Sequence, residues 1–320
     1  MLEVLGLILP LFAIIFFGFF AGRIGNRPFE ALGWLNVFVV YFALPAMFFT
    51  LLSKTPIEQL ANWTFAITAL VITFIIFLLT FALGIFQSGG NISESTVQGL
   101  AGAYGNIGYM GPPIALLALG PEAAVPVAII FCFENILHFA LAPALMAADS
   151  PEQKSPLKVA LEILQKVCFH PLILATMIGM AAAAVQFQPP EPIERMIGYL
   201  AAAAAPCALF SLGVTLALRP LKRFPMELNY IVPMKLIIHP ALMYVGLSWV
   251  GDFEPVWMYS AVLLASLPIA TNVYVIAQQY EFWMERASAS ILVSTTASVI
   301  TVSALLYLIT TGTLPPDLFP

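Results

Sequence analysis

The spacing of its charges constrains this chain more than any other feature. Placing a charge near the centre of a bilayer costs at least about 2.5–3.5 kcal/mol, so intervals without charge mark where a chain can cross one. Eight such windows are long enough: 4–22, 31–53, 59–93, 95–121, 167–190, 196–218, 255–280 and 287–316. Each can house a helix of about 20 residues, the length that crosses about 30 Å of hydrocarbon. Two more, 123–148 and 228–251, qualify if one charge is accepted in each, Glu134 and Lys235. The spacing therefore predicts ten spans in an all-α membrane protein. Composition agrees: 61% of the residues are hydrophobic and 9% charged, against roughly 45–50% and about 25% in soluble domains. A soluble enzyme and a disordered chain are excluded. So is a nucleic-acid partner, which needs a basic face that a net charge of −5 does not supply.

Basic residues are retained on the cytoplasmic side of a membrane. One set of alternate loops holds Arg23, Arg27, Lys154, Lys158, Lys166, Arg219, Lys222, Arg223 and Arg286, and the other only Lys54 and Arg195. Both termini are thus expected outside the cytoplasm, in the plasma (inner) membrane of a bacterium. No signal peptide is expected, because Glu3 stands where a basic segment would precede the first apolar run. Cys132, Cys168 and Cys207 lack metal-type spacing and read as small buried hydrophobes. Trp63, Trp249, Trp257 and Trp283 fall near span ends, where interfacial anchors lie.

The ten windows fall into two sets of five. Their starts, 4, 31, 59, 95 and 123, then 167, 196, 228, 255 and 287, are offset by 160 to 169 residues. Local sequence follows the same plan, since Leu44-Pro-Ala-Met-Phe-Phe-Thr-Leu-Leu52 is similar to Ala205-Pro-Cys-Ala-Leu-Phe-Ser-Leu-Gly213. Five spans is an odd number, so the second set must enter the membrane from the opposite side. The expected organisation is a five-helix repeat over 1–147, a cytoplasmic linker over 148–166, an inverted repeat over 167–310, and a tail over 311–320. Inverted repeats underlie many secondary transporters, whose sites lie at the bilayer midplane where helices are broken.

Breaks are legible at matching places. The fourth span contains Gly99-Leu-Ala-Gly-Ala-Tyr-Gly-Asn-Ile-Gly-Tyr-Met-Gly-Pro-Pro113 and the ninth Ser266-Leu-Pro-Ile-Ala-Thr-Asn272. Gly and Pro disfavour a continuous helix, and irregular backbone at membrane depth survives only inside protein or beside water. Half-helix N-termini at such breaks offer positive dipole ends to an anion. Close helix packing is the other reading of the glycines. What favours a site is Asn106 in one break and Asn272 in the other, each with donors and an acceptor.

At these residues the chain resembles the auxin efflux carrier family, through Gly105-Asn-Ile-Gly-Tyr-Met-Gly-Pro-Pro113, Ala205-Pro-Cys-Ala-Leu-Phe-Ser-Leu-Gly213 and Ser266-Leu-Pro-Ile-Ala-Thr-Asn-Val-Tyr274. Bacterial members of that family are often described as malate or malonate permeases. The resemblance implies ten helices in two inverted five-helix repeats, with the fourth and ninth broken and crossing. It implies a scaffold of spans 1, 2, 6 and 7, a mobile transport unit of spans 3–5 and 8–10, elevator-type motion, and a homodimer formed through the scaffold. By the family pattern Pro113 and Pro268 are crossover prolines, with Asn106 and Asn272 beside the substrate. Tyr104, Gly108, Ser266 and Thr271 complete the candidate substrate-binding set.

Two pairs carry ionisable groups into the spans. Glu134 and His138 stand at i, i+4 on the fifth, Lys235 and His239 on the eighth, and such pairs share a helix face. They are candidates for coupling or gating; a structural neutralising pair of Glu134 with Lys235, or placement near a membrane boundary, would also account for them. The coupling ion is open between a proton carried by Glu134 and a sodium ion held by broken-span carbonyls with Asn106, Thr271 and Asn272. No cofactor and no resident metal are expected.

Together these features predict a secondary transporter of small organic anions, mono- or dicarboxylates, bathed in lipid. A sodium–proton antiporter or bile-acid-type symporter of similar plan is the nearest alternative, but it would place paired acids at the crossover, and the ninth span has none. A passive channel is another. An intramembrane protease would need HExxH or two Asp residues within the spans, and neither is present.

Overall fold

The computed structural model describes residues 2–25, 28–55, 62–149, 155–218 and 224–319, and every regular element among them is helical. In chain order these are α1 (Leu2–Gly25), α2 (Gly33–Phe38), α3 (Leu44–Leu52), α4 (Trp63–Gln87), α5 (Ile92–Ala103), α6 (Ile107–Leu119), α7 (Ala124–Asp149), α8 (Pro156–Cys168), α9 (Pro171–Ala184), α10 (Glu191–Leu218), α11 (Leu228–Pro233), α12 (His239–Val250), α13 (Pro255–Ser266), α14 (Thr271–Tyr280) and α15 (Met284–Thr310). By length and composition, six stretches among the described residues can cross a membrane: Gly33–Leu52, Trp63–Gln87, Pro121–Asp149, Glu191–Leu218, Leu228–Val250 and Met284–Thr310. Shorter apolar helices cover Phe12–Gly25, Ile107–Leu119, Pro171–Ala184 and Pro255–Ser266. Arg27, Lys154, Arg219, Lys222 and Arg223, on which the orientation partly rests, lie outside the described residues, as do residues 150–154 of the linker.

The chain divides into two compact units. Unit 1 comprises Met1–Trp63, Gly108–Cys132 and Phe169–Pro220, and unit 2 comprises Thr64–Ile107, Phe133–Cys168 and Leu221–Pro320.

Within unit 1, α1 packs along α10, and α3 packs against α9 and α10. Glycine makes the first of these contacts possible: a Cβ on Gly213 would lie 1.9 Å from the carbonyl oxygen of Ile15, and one on Gly18 2.2 Å from that of Phe210. Lipid tails are as apolar as leucine, so helices in a membrane gain their association from such close backbone approach. The alanine runs 181–184 and 201–205, which the sequence suggests as packing surfaces, contribute only Ala182 and Ala204 to the buried interior.

Unit 2 buries polar groups among apolar ones. Along α4, Ile67, Val71, Ile75, Leu79, Leu83 and Phe86 are exposed, while Ala66, Ala69, Thr73, Ile76, Phe77, Thr80 and Gly84 face inward. The buried hydroxyls of Thr80, Thr96, Ser290 and Ser298 donate to carbonyls three or four residues earlier in their own helices, which satisfies them without water. At one end, Arg286 donates to Glu94 at 2.6 Å and to Glu227 at 2.7 Å, while Asp149 accepts from the backbone N–H of Ser93 in the first turn of α5. Trp257 packs edge-on to Phe65 at 4.9 Å and Trp283 is also buried, so neither is an interfacial anchor; Trp63 and Trp249 are exposed. The three cysteines are free thiols; Cys168 is exposed and Cys132 and Cys207 are half-buried, so none is fully buried as expected.

Two π-helical turns interrupt otherwise regular spans, Val39–Ala43 and Met234–Ile238. Each stands two residues before a proline, Pro45 or Pro240, and the intervening residue donates its N–H five residues back, Leu44 to Val39 and His239 to Met234. Proline has no N–H to give and its ring crowds the carbonyl four residues earlier; a wider turn relieves both. The second of these turns carries Lys235 and leads directly into His239.

Candidate functional site

The site begins where two helices stop. α5 ends at Ala103 and α6 starts at Ile107, leaving Tyr104, Gly105 and Asn106 outside helical geometry; α13 ends at Ser266 and α14 starts at Thr271, leaving 267–270. The two breaks satisfy one another. Asn106 N–H donates to the Pro268 carbonyl at 2.7 Å and Ala270 N–H to the Tyr104 carbonyl at 2.9 Å, around an antiparallel bridge between Gly105 and Ile269. Ile269 N–H reaches the Ser294 hydroxyl on α15 at 3.2 Å. With water excluded, each of these groups unpaired would cost several kcal/mol, so the bridge makes the irregular backbone tolerable. Gly105 fits closely, since a Cβ there would stand 3.2 Å from both the Leu264 carbonyl and the Lys235 ammonium.

The glycine stripe of the fourth span thus divides by role. Gly99 and Gly102 press on α4, where a Cβ would meet Phe77 at 2.8 Å and the Thr80 hydroxyl at 2.1 Å, which is packing. Gly105 belongs to the break. Gly108 lies in unit 1, where an added Cβ would make ordinary contact with Phe131 at 3.4 Å.

Prolines do not mark both breaks. Pro268 stands in the second, but Pro112 and Pro113 lie inside α6 and in unit 1, beyond the point where the first break has ended. Pro113 is therefore not the counterpart of Pro268 in the paired segment; Gly105 and its neighbours are. The reason is tertiary: the break sits where a partner strand of backbone is present to accept and donate.

Around this bridge unit 2 gathers Tyr104, Asn106, Glu134, His138, Lys235, His239, Thr271 and Asn272. Tyr104 ties the breaks together. Its hydroxyl donates to the Asn135 side-chain oxygen and accepts from the Asn272 amide at 2.9 Å, while its ring stacks on His138 with centroids 4.1 Å apart and planes 6° from parallel. Asn106 is 2% exposed and its amide nitrogen has no hydrogen-bond partner. Ser266 spends its hydroxyl on the Leu263 carbonyl in its own helix, at 2.7 Å.

The charged groups join end to end. Thr73 donates to a Glu134 carboxylate oxygen at 2.8 Å, the Thr73 oxygen lies 3.2 Å from His239 Nε2, and His239 Nδ1 lies 3.2 Å from the Lys235 ammonium. Lys235 donates in addition to the Ala265 carbonyl near the end of α13. The second Glu134 oxygen, Oε2, is buried without a partner. Lys235 and Glu134 are thus linked through the side chains of His239 and Thr73. Among the described residues no three of His, Cys, Asp and Glu assemble as metal ligands.

Four participants were not singled out in the sequence: Thr73, Asn135, Ser294 and the Ala265 carbonyl. Asn135 could have been found, since it follows Glu134 directly and lies three residues from His138 on the same helix. Thr73 sits in an apolar run with no local mark of its role.

Comparison with known proteins agrees with this architecture. A family described as "Membrane transport protein" matches residues 3–307. A protein of Rhizobium meliloti (strain 1021) named "Putative malonate transporter" is 58% identical over 320 residues, covering all of both chains. An "Uncharacterized transporter YfdV" of Escherichia coli (strain K12) is 25% identical over 312 residues, 95% of this chain and 96% of its own. An "Uncharacterized transporter" of Methanothermobacter thermautotrophicus is 25% identical over 300 residues, 92% of this chain and 94% of its own. The chain belongs to the membrane transport protein family, the auxin efflux carrier family that its crossover motifs resemble.

Proposed function

We propose that the protein carries a small dicarboxylate of the malonate type across the plasma membrane of a bacterium by alternating access, with the substrate held at the crossing of the two broken helices. The observation that carries this is the amide nitrogen of Asn106, buried without a partner beside the break. A buried donor left unmade costs about 1–3 kcal/mol, and a carboxylate oxygen would recover it. Asn272, half-buried at the first turn of α14, adds a further donor, and the positive dipole end of that helix favours an anion. The 58% identical relative named for malonate supports the substrate class.

The inverted-repeat reading gains support from the bridge, which pairs residues 105 and 269 in antiparallel sense, a separation within the 160–169 offset of the two halves. Unit 2, which holds the polar groups of the crossover, is the part we assign to the elevator motion, and unit 1 is the scaffold through which a homodimer would form. Both termini are assigned to the outer side.

A proton is the better coupling ion. Three carbonyls at the breaks already accept hydrogen bonds: Tyr104 from Ala270 N–H, Pro268 from Asn106 N–H, and Ala265 from the Lys235 ammonium. Glu134, by contrast, has one oxygen free to take a proton. Proteoliposomes test this: labelled malonate should accumulate under an inward proton gradient and not under a sodium gradient. Equal accumulation under both, or under neither, overturns the reading.

A further inference from the structure

We propose that Thr73 and His239 form a directional proton relay between Lys235 and Glu134, so that the transporter interconverts a buried ion pair and a buried neutral pair. This rests on the proton-coupling reading above and adds two residues that the coupling reading alone does not require.

The direction follows from counting protons. With Glu134 ionised, the single hydroxyl proton of Thr73 is committed to its carboxylate oxygen at 2.8 Å. The Thr73 oxygen can then only accept from His239, so His239 carries its proton on Nε2, 3.2 Å away. Its Nδ1 consequently presents a lone pair, which accepts from the Lys235 ammonium at 3.2 Å. A second ammonium proton goes to the Ala265 carbonyl. Two of the three ammonium protons have acceptors, the His239 and Thr73 protons have one each, and all four side chains are 0–2% exposed.

A concerted step moves each proton one place. A Lys235 N–H bond breaks as a proton forms a bond to His239 Nδ1. The His239 Nε2–H bond breaks as that proton joins the Thr73 oxygen, and the former Thr73 proton bonds to Glu134. Before the step the chain holds +1 and −1; after it, a neutral amine, the other neutral tautomer of His239, an unchanged threonine and a carboxylic acid. Net charge and electron count are conserved. The unpartnered Glu134 Oε2 is the atom left for a proton to enter or leave from outside the relay.

Exchange of this sort lets the unit interconvert its charged and neutral forms without stranding a lone ion in a medium of low dielectric, where an unpaired charge is severely penalised. The groups facing the relay are Tyr104 from the first break, His138 on α7, stacked on Tyr104, and Ala265 at the end of α13. None of these supplies a second bridge between Lys235 and Glu134 among the described contacts. The π-turn at Met234–Ile238 contributes by leading His239 out of a widened turn that also bears Lys235.

The test separates proton-driven net uptake from malonate exchange, which cycles the loaded carrier and needs no net proton release. Wild type, Thr73→Val, Thr73→Ser and His239→Gln are reconstituted in proteoliposomes. Valine keeps the shape of threonine without its hydroxyl. Glutamine keeps an acceptor and a donor but cannot pass a proton on, and serves if Thr73→Val fails to fold. The relay predicts that net uptake under a proton gradient falls at least ten-fold further than exchange in Thr73→Val and His239→Gln, and that Thr73→Ser recovers it. Net uptake and exchange falling in step, or net uptake preserved in either blocked variant, overturns the relay while leaving proton coupling intact. Wild-type uptake indifferent to the proton gradient overturns the coupling reading and the relay with it.

Discussion

The side-chain amide of Asn272 donates to the hydroxyl of Tyr104 at 2.9 Å, tying the second helix break to the first by a bond between residues 168 apart in sequence. The same hydroxyl donates to Asn135 on α7. One tyrosine oxygen thus holds three segments at the crossing.

Tyr104→Phe removes that oxygen and leaves the amide of Asn272 and the Asn135 oxygen to find other partners. A stability loss of about 1–3 kcal/mol is expected, the cost of buried groups deprived of a bond. Thermal unfolding in detergent measures it. The uptake KM should rise together with the loss of stability, because Asn272 is no longer oriented.

Asn106→Leu separates stability from function. The wild-type amide nitrogen is buried and unpaired, so replacing the side chain with an apolar one of similar size should leave the unfolding temperature unchanged or raise it, while malonate uptake falls at least ten-fold. Asn106→Asp should abolish uptake as well, by setting a carboxylate against an anion. Unfolding temperature and uptake measured on the same preparations check both statements.

Lys235→Met should destabilise by about 3–5 kcal/mol, because it leaves Glu134 buried without a cationic counterpart at the far end of the chain through Thr73 and His239. The double variant Lys235→Met with Glu134→Gln should be more stable than Lys235→Met alone. A double-mutant cycle read by thermal unfolding tests the sign of the coupling.

Glycine substitutions should divide as the contacts do. Gly213→Ala and Gly102→Ala are each expected to cost more than about 2 kcal/mol, since the new methyl would lie 1.9 Å from the Ile15 carbonyl and 2.1 Å from the Thr80 hydroxyl. Gly108→Ala, with 3.4 Å to Phe131, should cost less than about 1 kcal/mol. Expression and unfolding temperature of the three variants give the comparison.

The long helices were legible because charge is so costly in lipid that its absence outlines them, and the two exceptions, Glu134 and Lys235, pointed at groups that the fold buries completely. His138 and His239 followed from helical periodicity, and Asn106 and Asn272 from their repetition in two breaks. Thr73 was illegible for a physical reason. A threonine in a membrane helix ordinarily bonds its own preceding turn, as Thr80 and Thr96 do here, and nothing local tells which one reaches across instead. The first break was legible as the glycine-rich run Gly99–Pro113 with Asn106 inside it, but its confinement to Tyr104–Gly105–Asn106 was not, because Pro268 and Ala270, distant in sequence, complete its hydrogen bonds. Glycine spacing likewise could not separate Gly102, which packs, from Gly105, which opens the crossing.

Accumulation of labelled malonate in proteoliposomes, compared between wild type and Asn106→Leu under an inward proton gradient and under a sodium gradient, tests the central claim most directly. The account predicts accumulation by the wild type under the proton gradient alone, and a loss of at least ten-fold in Asn106→Leu at unchanged unfolding temperature. Accumulation driven by sodium, or uptake that survives in Asn106→Leu, would contradict it.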